Sequence, residues 1–127
     1  MSPSPLLDKT FKFSIDIITL TRLLQQEQKE FILSKQLMRS GTSVGAMVVE
    51  AQHAESKADF IHKLAIAQKE MNETIYWLRL LNATSLLEDP LFESTNNNAI
   101  EILKMLTSSI KTTKSNLKKT HNNNSTH

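Results

Sequence analysis

Cysteine is absent from this chain. That removes disulfide frameworks, cysteine-based zinc sites and thiol nucleophiles. Glycine and proline are scarce, with 2 and 3 residues among 127. So few turn formers exclude a many-stranded β fold, which needs punctuation about every 8–12 residues. They also exclude glycine-rich phosphate loops, since neither G-x-G nor G-K-[ST] occurs. Long apolar runs are missing too. A run such as Ala46 to Val49 is as long as they get, which fits neither a transmembrane span nor a signal-peptide core. The length is that of one domain. What remains is the expectation of a soluble, cytoplasmic, mostly helical chain with no membrane association.

Charge informs only when divided. Residues 1–101 carry 10 Lys+Arg and 13 Asp+Glu, or −3, and Glu101 is the last acid. Residues 102–127 carry five lysines and no acid, or +5. Such asymmetry points towards a polyanion. The simpler reading is a solvated cationic helix end, which the helix dipole favours.

Apolar spacing predicts four helices. The first runs from about Asp8, its N-cap, to Gln25, with Phe11, Ile15 and Ile18 beside Phe13, Ile17, Leu20 and Leu24 in one wide stripe. The second, about Lys29 to His53, has Leu33, Leu37, Gly41, Val44, Val48 and Ala51 as its core face. Gly41 and Gly45 inside a helix each cost about 1 kcal/mol against alanine, which implies close backbone approach by a neighbour. The third, about Lys57 to Asn82, starts on Ser56 and buries Phe60, Leu64, Ala67, Met71, Ile75 and Leu78. A connector, Thr84 to Thr95, contains Pro90 and tucks in Leu86, Leu87, Leu91 and Phe92. The fourth, about Asn97 to Lys118, buries Ala99, Leu103, Leu106, Ile110 and Leu117. The expected domain is 1–119, with a disordered polar tail over 120–127. Short connections make the arrangement all-α: an antiparallel up-down-up-down four-helix bundle.

Two stripes lie off the core faces. Ile66, Trp77 and Leu80 run along the third helix beside Glu70 and Glu73. Arg39, Ser43 and Glu50 run along the second, with Gln36 and Met47. Arg39 and Glu50 are about 16 Å apart along one helix, so they do not pair within a subunit. Both stripes are expected at a homo-oligomer interface, as two different patches. The plainer alternatives are cover by neighbouring side chains and an ordinary wet helix face.

The stretch Phe31 to Ala46, then Glu50-Ala51, Ser56 to Phe60 and Tyr76 to Leu81 together resemble the bacterial four helix bundle protein family. This is the family encoded in intervening sequences of 23S ribosomal RNA genes, also called S23 ribosomal protein. The accessory protein of diversity-generating retroelements is in the same group. The resemblance covers roughly residues 11–114. It implies an antiparallel four-helix bundle, a cyclic homopentamer and no established enzymatic activity. In the retroelement member it implies a basic barrel that binds nucleic acid and a reverse transcriptase. Where that family often carries Asn shortly before the matching Glu50, this chain has Gly45-Ala-Met-Val-Val, so any partner contact of that Asn is not Met47's.

Catalysis finds little support. Glu50-x-x-His53 and Asp59-x-x-His62 have the spacing of di-iron bundle ligands, but Glu50 and His62 project away from the apolar stripes and both motifs crowd one turn. No nucleophile motif occurs, and no Arg precedes a His at the helical-nuclease spacing. The expectation is no enzyme, no metal and no cofactor. Two functions remain open. One is an RNA-associated oligomer that uses Lys104, Lys111, Lys114 and Lys118 on one face of the last helix. The other is a protein-interaction scaffold with no nucleic-acid role.

Overall fold

The computed structural model describes residues 4–125, with side chains through Lys119. Met1, Ser2, Pro3, Thr126 and His127 lie outside the described residues, the last two being part of the expected tail. Four helices account for nearly all of the described chain, and no strand occurs among those residues.

α1 spans Pro5–Glu27. Its N-cap is Ser4, whose hydroxyl accepts from the Leu6 N–H, and not Asp8; Pro5 opens the helix, where a missing N–H costs nothing. α2 spans Leu33–Gln52. Its N-cap residue supplies no side-chain bond, and the Glu30 carboxylate takes over, accepting from the N–H groups of Ile32, Leu33 and Ser34. An anion at a helix N-terminus answers both the free N–H groups and the dipole. α3 spans Lys57–Ala83 and starts on Ser56, whose hydroxyl accepts from the Asp59 N–H, as its sequence indicates. α4 spans Asp89–Ser125. It begins inside the expected connector, because Pro90 sits in its first turn, where proline is tolerated. It also continues as helical backbone past Lys118 to Ser125.

Each helix packs on its two neighbours in the cycle α1–α2–α3–α4, with none packed across the diagonals. One core fills the centre. It is built from Phe13, Ile17, Leu20 and Leu24 of α1, Leu37, Val44, Val48 and Ala51 of α2, Leu64, Ala67, Met71 and Leu78 of α3, and Ala99, Ile102, Leu106 and Ile110 of α4. Gly41 and Gly45 bring α1 and α2 together. A Cβ at Gly41 would meet two Ile17 carbons at 2.9 Å, and one at Gly45 would meet the Thr10 carbonyl oxygen at 3.3 Å. Buried hydroxyls are satisfied locally: Thr74 donates to Ser40 across α2–α3 at 2.8 Å, and Thr10 to the Leu6 carbonyl.

Several expected core positions are not fully buried. Phe11 and Ile15 are 67% and 49% exposed, so only the Phe13 row of α1 is buried. A helix with two neighbours on adjacent sides buries one stripe and leaves the row beyond its flank wet. In α4 the buried residue is Ile102, with Leu103 half-buried. Leu117 is exposed at 41%. Leu91 is exposed too, while Leu87 is buried.

Candidate nucleic-acid interface and subunit faces

The lysine row on α4 is built by spacing. Lys104, Lys111 and Lys118 repeat every seven residues, and Lys114 lies one turn from Lys111 and Lys118. All four are exposed, as is Lys119. They point away from the buried line through Ala99, Ile102, Leu106 and Ile110. The ion pairs found among the described side chains involve Lys9, Lys12 and Arg39, and none of these four lysines. Lys104 and Lys111 line a shallow groove with Leu103, Thr107, Ser108 and Thr112, and Thr107 is tied to α3 by Gln68 at 2.9 Å. A row of unpaired ammonium groups on a rigid helix attracts a phosphate backbone without reading bases.

The two expected interface stripes meet at Arg39, Glu70, Glu73 and Trp77 between α2 and α3, while Leu80 lies with Tyr76, Arg79 and Phe92. Arg39 reaches across to Glu70 at 3.0 Å and also pairs with Glu73. Glu73 in turn accepts from the Trp77 indole N–H at 3.2 Å. The Arg39 hydrogen bond holds the Glu73 carboxyl below the usual carboxylate range, with burial opposing and Trp77 assisting. The bonds to Glu73, then to Glu70, raise the Arg39 guanidinium. Arg39 thus finds its counter-ions within its own chain, a pairing the sequence signalled only by setting Glu70 and Glu73 beside Trp77. Ser43 donates to the Arg39 carbonyl at 2.6 Å. Ile66, Trp77 and Leu80 are half-buried, and Glu50 is exposed.

A second surface escaped the sequence reading because apolar spacing sets Phe11 and Ile15 on the core stripe of α1. Phe11, Leu7 and Val49 line one shallow surface with Pro5 and Asp8, where α1 meets α2. Val49 is 50% exposed, and Ile15 continues the row one turn from Phe11.

The cleft between α1 and α4 is charged, lined by Asp8, Lys9, Lys12, Asp16 and Glu101, with Lys9 paired to Glu101. Glu50, His53 and His62 are exposed, and among the described residues no three His, Cys, Asp or Glu side chains gather as a metal site. No described helix is long and apolar enough to cross a membrane.

Comparison with known proteins bears on this arrangement. The family model for the 23S rRNA-intervening sequence protein matches residues 5–108. A solved structure from Bacteroides thetaiotaomicron, a protein with unknown function from the S23 ribosomal protein family, is 52% identical. The match covers 84% of this chain and 98% of that one, with a TM-score of 0.83. No curated protein matches.

Proposed function

The chain belongs to the 23S rRNA-intervening sequence protein family, and from that premise we infer that it is a non-enzymatic, homo-oligomeric helical bundle that holds RNA by its phosphate backbone. The observation that carries this reading is the exposed, unpaired row Lys104, Lys111, Lys114 and Lys118 on a helix with no acid beyond Glu101. A closed ring repeats that row once per subunit and turns a modest charge into a strong one. The resemblance supplies the number five for the ring. The order of contacts supports an antiparallel bundle, since Thr10 lies against Gly45, Ile17 against Gly41 and Gln25 against Ser34. A cytoplasmic site of action goes with the same reading.

Base specificity is not expected. Single-strand binders add aromatic stacking platforms; here Trp77 is half-buried and engaged with Glu73, and the exposed Tyr76 stands on α3, not on the helix that carries the lysine row. The exposed apolar row at Phe11, Ile15 and Val49 favours a second reading, a protein scaffold without nucleic acid. Anisotropy titration of a generic RNA at low salt separates the two. Wild type binds, and Lys104→Glu/Lys111→Glu/Lys114→Glu/Lys118→Glu loses at least tenfold. Equal affinity for the two proteins leaves the scaffold reading.

A further inference from the structure

Tyr76 is the one exposed aromatic ring on α3 or α4, with 56% of its surface open. Neither the Arg39 cluster nor the lysine row uses it. Its ring is held from one side. It meets Trp77 edge-to-face at a centroid distance of 5.2 Å, and the Trp77 indole N–H is in turn tied to Glu73. With Arg79 of α3 and Phe92 of α4, Tyr76 lines a shallow hollow of about 460 Å³. That is within the range of small-molecule sites, about 300–1,000 Å³.

The hollow and the lysine row belong to one groove. Asn82 donates to Asp89 at 2.8 Å and Gln68 to Thr107 at 2.9 Å, so numbering falls along α3 as it rises along α4. These ties set Tyr76 opposite residues 95–99 and Lys69 opposite residues 102–106, level with Lys104. Tyr76 and Lys69 are two helical turns apart and share a face of α3, as Lys104, Lys111 and Lys118 share one of α4. From Tyr76, exposed cations come at steps of about 10 Å: Lys69 with Lys104, then Lys111, then Lys118.

The charges around Tyr76 give this track a direction. Glu88, Asp89 and Glu93 are exposed where α4 begins, and there they repel phosphate. Glu70 and Glu73 are turned to Arg39 on the α2 side, and Lys69 adds the weakest of the attractions on Glu73. Glu101 is paired with Lys9 of α1. The ion pairs found among the described side chains include neither Lys69 nor Arg79.

We propose that Tyr76 is a stacking platform for one unpaired base of single-stranded RNA, whose backbone runs from there along Lys69, Lys104 and Lys111. An aromatic face accepts any base, so the site selects unpaired strand over duplex without reading sequence. Arg79 lies in the same hollow, where a guanidinium stacks on a base or meets its phosphate. The acids at the start of α4 let the strand leave only towards the lysines. This rests on the RNA reading above and names the kind of RNA it takes.

The test is anisotropy at low salt with a single-stranded RNA of about ten nucleotides, a usual site size, against an abasic strand of the same length and charge. Wild type is expected to bind the base-bearing strand at least about fivefold more tightly, the low end for one stacked base. Tyr76→Ala is expected to bind the two strands equally, and Tyr76→Phe to behave as wild type. Trp77, the one tryptophan, reports on the same site: the base-bearing strand quenches its fluorescence and the abasic strand does not. That readout needs no variant, and unchanged helical circular dichroism is the folding check for Tyr76→Ala. A wild type that binds both strands alike without quenching, or a Tyr76→Ala that keeps the preference, overturns the stacking platform and leaves the phosphate row standing. No binding of either strand overturns the RNA reading itself, and the platform with it.

Discussion

Gly41 marks the tightest approach of α1 to α2. Alanine there gains about 1 kcal/mol of helix propensity. Its Cβ would lie 2.9 Å from two carbons of Ile17, a fully buried side chain that would have to shift. Overpacking of that kind costs about 1–3 kcal/mol. Gly41→Ala is therefore expected to lower stability by up to about 2 kcal/mol in urea unfolding; a gain would mean that Ile17 moves freely. The Arg39–Glu73 pair makes a second residue-scale prediction. Glu73 is depressed below its ordinary value, so its contribution is present above the unfolded carboxylate pKa and is lost as pH falls through the folded value. Arg39 is raised, so its share would be lost only as pH rises through that raised value, at the alkaline extreme. Glu73→Gln is expected to lower stability at neutral pH by up to about 1 kcal/mol, the range of partly exposed pairs, and to match wild type in strong acid. A difference that stays constant down to strong acid contradicts that account. At this scale the sequence was most legible where spacing alone decides burial, as at Leu37, Val44, Leu64 and Met71. It misplaced Phe11 and Ile15 because burial there depends on how many neighbours α1 has, which no local period encodes.

At the scale of elements, the four helices were legible and their ends were not. Periodicity is a property of many residues, but each end is settled by one or two contacts. Glu30 capping α2 from outside the helix left no standard N-cap signature. Pro90 read as a break and instead opens α4. The end of α3 rests on Ser85, held at φ 63°, with its own N–H bonded to the Asn82 carbonyl and the Leu86 N–H bonded to the Leu81 carbonyl. That is the bonding of a Schellman cap with serine where glycine is usual. The left-handed backbone costs a residue with a Cβ about 1–2 kcal/mol, so Ser85→Gly is expected to raise the melting temperature. The gain is expected to be below about 1 kcal/mol, because glycine also frees the unfolded chain. A lower melting temperature would show that the serine hydroxyl contributes more than the strain removes.

Over the whole molecule, one helix carries charge and its diagonal opposite carries small residues. The sequence showed the first as the swing from −3 over residues 1–101 to +5 over 102–127. It could not show that the two suspected stripes touch, since that follows from Arg39 reaching Glu70 and Glu73 across α2–α3. The central claim is that RNA is held through backbone phosphates by the α4 lysines. It is tested most directly by the slope of log affinity against log salt, measured from about 50 to 200 mM for wild type and for the four-lysine variant. Each phosphate neutralised on a single strand adds about 0.7 to that slope. The account predicts a steep slope for wild type and a loss of about 0.7 per contact in the variant. The same slope in both proteins, or no binding by wild type at about 50 mM salt, would contradict it.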